Sequence, residues 1–135
     1  MVRDVSAAVI LQNHQILICR RPAHKSNPLL WEFPGGKREE KETLAECLVR
    51  ECQEELGVQI EVGQELGEKI YSYPEITVHL HFFAATIALG TPIAREHQEI
   101  LWSDPDHWKD LTFCPADEEF LKILEKNWQA EKAKK

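Results

Sequence analysis

The chain has 135 residues, 43% hydrophobic and 29% charged, with 23 acidic and 16 basic side chains and a formal net charge of −7. That is one domain of ordinary globular composition, able to bury roughly two thirds of the surface its unfolded chain exposes. A collagen-like or disordered chain is excluded, and the acidic balance argues against loose binding to nucleic acid, which needs a basic surface. A small anionic substrate is still admissible if cations intervene. Cys19, Cys47, Cys52 and Cys114 form no CxxC pair and no zinc-ligand spacing, so buried free thiols are expected rather than a disulfide framework. Arg3 and Asp4 interrupt the first residues, unlike a signal peptide. No apolar run approaches the roughly 18 residues of a membrane span. The expected setting is a reducing cytoplasm, with neither membrane nor nucleic acid as partner.

Val2 to Leu11 is rich in β-branched and small apolar residues and predicts a strand. Asn13-His14 makes a turn, and Gln15 to Arg21 returns as a second strand. Pro22 to Leu30 is a polar loop, after which Trp31-Glu32-Phe33 leads into Pro34-Gly35-Gly36. Two adjacent glycines predict a tight bend there, with positive φ available to both. A helix follows over 44–56. Thr43 and Glu46 have the spacing of a capping box, Leu44, Cys47, Leu48, Cys52 and Leu56 share one face, and Gly57 stands at the C-terminal cap. Val58 to Val62, Glu68 to Tyr73 and Ile76 to Leu89 read as three strands, and Trp102 ends a shorter one. Ser103-Asp104-Pro105 starts a small helix reaching about Leu111, and a last helix begins near Pro115 with Phe120, Leu121, Leu124 and Trp128 on one face. The charged tail from Glu131 to Lys135 is expected to fray. The fold class is α/β (α+β): a mixed sheet with the 44–56 helix on one face and the last helix on the other.

Helix 44–56 contains an arrangement that a purely structural helix avoids. Glu51, Glu54 and Glu55 stand at i, i+3 and i+4, and each such like-charged pair costs a few tenths of a kcal/mol (~0.2–0.5). Near the C-terminus the helix dipole adds to the cost. A divalent cation offsets this crowding. Carboxylates without histidine point to Mg²⁺ or Mn²⁺ rather than zinc. An acidic solvated face is the alternative that spacing alone leaves open.

The flanking residues carry more. Gly36, five residues, Glu42, seven residues, then Arg50-Glu51-Cys52-Gln53-Glu54-Glu55-Leu56-Gly57-Val58 resembles the Nudix box, with Cys52 in a slot that usually holds Leu, Ile or Val. Cys19-Arg20-Arg21-Pro22, Trp31-Glu32-Phe33-Pro34-Gly35-Gly36-Lys37 and Pro115-Ala116-Asp117 look similar to the MutT-type branch. The resemblance implies a Nudix fold over one domain, residues 1–135, and cleavage of a nucleoside triphosphate to monophosphate and pyrophosphate. It implies Glu51, Glu54, Glu55 and the Gly36 carbonyl as metal ligands, and Glu51, Glu54 or the loop residue Glu96 as general base. Glu42 and Arg50 are expected to tie the preceding loop to the helix. Arg21 and Lys37 are candidate phosphate contacts, Arg being suited to bidentate recognition, while strand alternation turns Arg20 to the opposite face.

Phe33 and Asp117 would flank the nucleobase. An ionised Asp117 can only accept hydrogen bonds, from the N1–H and amino group of guanine or from the amino group of cytosine. The first expectation is a hydrolase of oxidised guanine nucleotides such as 8-oxo-dGTP, serving nucleotide-pool sanitation and DNA repair. The alternative is a CTP or 5-methyl-dCTP pyrophosphohydrolase. A non-catalytic nucleotide-sensing module is a third reading, disfavoured because every box glutamate is kept. His79 and His81 lie two apart on one strand face, with no further metal ligand evident beside them, and read as packed or surface residues. Oligomeric state is not readable from one sequence.

Overall fold

The structure is a computed structural model that describes the backbone of residues 2–133 and side chains through residue 126. Strands β1 (Val2–Gln12), β2 (Gln15–Arg20), β3 (Trp31–Glu32) and β4 (Gly35–Lys37) precede helix α1 (Leu44–Leu56). Then come β5 (Gln59–Ser72), β6 (Thr77–Leu89), β7 (Glu99–Ser103), the short α2 (Pro105–Trp108) and α3 (Pro115–Ala133). Strand order is β3-β2-β1-β6-β5, with β4 also paired to β1 and β7 to β2. β1 and β6 run parallel while the other pairs are antiparallel, so the sheet is mixed.

Alternation along the strands builds two cores on opposite faces. Ala7, Val9, Ile16, Ile18, Val78, Leu80 and Phe82 point toward α2 and α3, against Trp108, Phe120, Leu121 and Leu124. Ala8, Ile10, Leu17, Cys19, Phe83 and Ala85 point the other way, against Leu48, Cys52 and Leu56 of α1. The expected helix-on-each-face sandwich is thus the observed one. All four cysteines are free and buried. Among the described residues no helix is long and apolar enough to cross a membrane. The side chain of Trp128 and the tail from Glu131 to Lys135 lie outside the residues described in full.

Helix α1 is closed at both ends as its sequence predicts. Thr43 accepts from the Glu46 N–H, the Glu46 carboxylate accepts from the Thr43 N–H, and Gly57 takes the left-handed conformation at φ 70°. Three other expectations change. The strands expected over Val58–Val62 and Glu68–Tyr73 merge into one, β5 over Gln59–Ser72, because irregularities near Val62, Glu65 and Gly67 absorb extra residues while pairing with β6 continues. The small helix ends at Trp108 rather than near Leu111. The bend before β4 needs only one left-handed glycine, Gly35 at φ 153°. Gly36 instead pairs with Ser6 in the ladder and is required for space, since a Cβ there would come within 2.4 Å of the Glu51 carboxyl carbon.

Arg50 fixes the loop between β4 and α1. Its guanidinium donates to Glu42 at 2.7 and 3.1 Å, to Glu51 at 2.8 Å and to the Lys37 carbonyl at 3.3 Å. Hydrogen bonds from Arg50 and from the Glu39 N–H pull the Glu42 carboxyl down to about 2. A carboxyl lowered from its unfolded value of roughly 4.3 stabilises the fold above that pH, and the contribution disappears as pH falls through the lowered value. Thermal unfolding of Glu42→Gln should therefore show a lower Tm than the parent at pH 7. The gap should close between about pH 4 and pH 2, whereas a constant gap across that range would show that the charge is not what ties the loop.

Candidate active site

The glutamate stripe of α1 faces β4 and the loop joining β6 to β7. Side-chain exposure rises from 7% for Glu55 through 16% for Glu51 to 52% for Glu54, so the stripe runs from a buried wall to open solvent. Arg50 reaches Glu54 as well, at 3.4 Å. At the buried end the Gly35 N–H donates to Glu55 at 3.4 Å. Burial, together with contact with Glu51 and the charge of Glu32, pushes the Glu55 carboxyl well above its ordinary value. The Gly36 carbonyl accepts from Cys47 Sγ at 3.5 Å.

These carboxylates line a cavity of about 510 Å³ that also includes Arg21, Lys37, Glu96 and His97. Lys37 and Glu96 are exposed, whereas Arg21 is half-buried and already engaged, with Glu32 at 3.0 Å and the Ser26 carbonyl at 2.7 Å. Arg20 indeed turns away, pairing with Glu99 at 3.1 Å. A second cavity of about 580 Å³ adjoins the first through Arg21, Ser26, Glu32, Gly35, Gly36 and Lys37. Its inner wall is Phe33, Tyr73, Ile76, Leu80, Ala116 and Asp117. One half is thus carboxylate-rich, and the other mixes polar side chains with an apolar inner wall.

Phe33 is part of the core, with edge-on contacts to Phe82, Trp108 and Phe120 at 5.9–6.3 Å, so its ring is held in place from within. Asp117 accepts from the Phe33 N–H at 3.3 Å. Its complete burial, and next the charge of Glu32, push its carboxyl well above the ordinary range. Burial thus favours the protonated form of Asp117 over the ionised, accept-only form considered from the sequence. A neutral carboxyl both donates and accepts.

Two residues escaped the sequence reading. His97 Nε2 lies 3.1 Å from Glu32 Oε2 and 3.8 Å from Glu55 Oε1, with only 6% of its side chain exposed. Glu32 in turn holds Arg21. The resulting chain from Glu55 through His97 and Glu32 to Arg21 links the acidic stripe to the wall shared by both cavities. The only sequence cue was the position of His97 beside Glu96.

A family model described as the NUDIX domain matches residues 6–123. The CTP pyrophosphohydrolase of Escherichia coli K12 is 37% identical over 114 residues, 84% of each chain. An 8-oxo-dGTP diphosphatase of the same strain is 35% identical over 109 residues, 79% of this chain and 78% of that one. Among solved structures, the E. coli ORF135 protein matches with TM-score 0.79 and 34% identity, over 92% of this chain and 89% of that one. The MutT protein of Methanosarcina mazei Go1 has TM-score 0.83 at 23% identity, covering 93% and 94%, a likeness of fold. With Gly36, Glu51, Glu54 and Glu55 of the box gathered on one cavity wall, the chain belongs to the Nudix hydrolase family, in the MutT-like branch, and is a nucleoside triphosphate diphosphatase.

Proposed function

We propose that the chain cleaves a cytidine nucleotide, CTP or 5-methyl-dCTP, to its monophosphate and pyrophosphate. Mg²⁺, or Mn²⁺ in its place, is held by Glu51, Glu54, Glu55 and the Gly36 carbonyl. The observation that carries this reading is the joined cavity, with carboxylates and cations at one end and, at the other, a buried Asp117 whose surroundings favour the protonated carboxyl. The order of preference between bases is the reverse of the sequence expectation. The cytidine reading is supported by the relative at 37% identity over 84% of the chain and by the chemistry of Asp117. A neutral carboxyl can donate to cytosine N3 while accepting from its amino group. It can equally face O6 and N1–H of guanine, so oxidised guanine nucleotides such as 8-oxo-dGTP are the second reading, supported by the 8-oxo-dGTP diphosphatases among the relatives.

The donor set fits a hard dication. Burial first, and then the neighbouring Glu51, raise the Glu55 carboxyl, a cost that a bound cation offsets, and a Cβ on Gly36 would meet the Glu51 carboxyl. Such an ion neutralises polyphosphate charge and acidifies a bound water. Arg21 and Lys37 contribute cations on the shared wall, toward the phosphates. Glu55 is buried and Glu51 is tied to Arg50 at 2.8 Å. The solvent-facing carboxylates, Glu54 and Glu96, are therefore the better placed to accept the proton of the attacking water.

Three measurements test this reading. Glu54→Gln should lower kcat at least about a hundredfold, as loss of a metal or base group does, without changing the fold, and near-normal turnover would remove Glu54 from the machinery. Because burial, and next its contact with Glu51, favour the protonated form of Glu55, Mg²⁺ uptake should be linked to loss of that proton. Calorimetry over a pH series, in two buffers of different ionisation enthalpy, should show Mg²⁺ affinity weakening as pH falls more steeply in the parent than in Glu55→Gln. Ranked by kcat/KM, CTP and 5-methyl-dCTP should exceed 8-oxo-dGTP, dGTP and ADP-ribose. Asp117→Asn, which keeps a donor and an acceptor, should preserve that order, and Asp117→Ala should lower it by about tenfold or more. A first rank for 8-oxo-dGTP would establish the second reading instead.

A further inference from the structure

The two histidines left without a role acquire neighbours in the fold. On the α1 face of the sheet, just past the point where Ser6 Oγ donates to the Leu44 carbonyl, three adjacent strands bring five metal-capable side chains together. The parallel register of β1 and β6 sets Asp4 beside His79, and β5 sets Glu68 beside His81. Asp4 Oδ1 lies 3.8 Å from His79 Nδ1 and 3.6 Å from His81 Nε2. Ligand atoms at about 2.0–2.2 Å from a tetrahedral zinc lie about 3.4 Å from one another. One ligand atom from each of Asp4, His79 and His81 lies within 4.8 Å of the other two, so the three draw inward to share one ion.

The far side of each imidazole is also provided for. His79 Nε2 is 3.4 Å from Glu68 Oε2, and His81 Nδ1 is 3.1 Å from Glu65 Oε2. A carboxylate hydrogen-bonded behind a ligating histidine fixes tautomer and ring orientation in zinc sites; Glu65 does this for His81, and Glu68 stands within ion-pair reach of His79. The other carboxylate oxygen of Asp4 is 3.6 Å from Arg38, which leaves Oδ1 toward the histidines. His81 is 92% buried by residue surface, being 8% exposed, and His79 Nε2 is buried without a formed hydrogen bond. A solvated ion-pair cluster does not require that burial.

We propose that Asp4, His79 and His81 form a second metal site, separate from the glutamate stripe, that takes a transition-metal dication of the Zn²⁺ class, with Glu65 and Glu68 orienting the imidazoles. Nitrogen donors select such an ion over Mg²⁺, and the all-oxygen stripe has the opposite preference. A fourth position is left for water.

The test uses the untagged full chain with Mg²⁺ in saturating excess and Co²⁺ as the spectroscopic probe. One equivalent of Co²⁺ should develop the strong visible bands of four-coordinate, nitrogen-containing ligation, and one equivalent of Zn²⁺ should abolish them. His79→Gln and Asp4→Asn, both at partly exposed positions, should each eliminate the bands while keeping the parent's far-UV circular dichroism. Glu65→Gln should weaken Co²⁺ uptake by about ten- to a hundredfold. Glu54→Gln should leave the spectrum intact. Absence of bands in the parent, their persistence in His79→Gln, or their loss in Glu54→Gln would overturn the assignment. None of these outcomes depends on which nucleotide the enzyme cleaves.

Discussion

Like charges crowded on one helix face are the constraint around which this molecule is arranged. Glu51, Glu54 and Glu55 repel one another on α1, and Glu55 is pressed into the protein where water cannot screen it. Arg50 answers from the same helix, touching Glu51 and Glu54 while its other nitrogens hold Glu42 and the Lys37 carbonyl. One cation against several carboxylates leaves an acidic remainder at the cavity. On the proposed function, that remainder is what would draw a hard dication, and through it a polyphosphate, to this wall.

The rest of the site answers to the same remainder. A Cβ on Gly36 would meet the Glu51 carboxyl, which Arg50 holds in place. Glu32 and His97 extend the charged network away from Glu55, and Arg21 closes it. Beyond Arg21 the lining becomes apolar around Phe33, whose ring is clamped by the aromatic core. A nucleotide, charged at one end and flat and weakly polar at the other, has the same gradient.

What the sequence reveals is local. The capping box, the apolar stripe of α1 and Gly57 act within one helix, and spacing alone announces them. The box residues are likewise close in the chain. Strand β5 is misread because its irregularities near Val62 and Glu65 carry polar residues and imitate a loop, although pairing with β6 persists. Glu32 and His97 meet from positions 65 residues apart, and no periodicity reports that. The charge state of Asp117 depends on burial, which only the folded chain supplies. Asp4, Glu65 and Glu68 reach the two histidines through strand register, so the imidazole pair looks solitary until the sheet is assembled.

Strand β1 has β2, β4 and β6 as partners, and its odd and even side chains serve different masters. Ala7 and Val9 fill one core, Ala8 and Ile10 the other, while Ser6 anchors the start of α1 and Asp4 faces the histidines. A slip of one residue exchanges every one of these faces at once. Insertions or deletions are therefore least tolerable in this opening segment, where a single shifted register would scramble two interiors, a helix anchor and an imidazole cluster together.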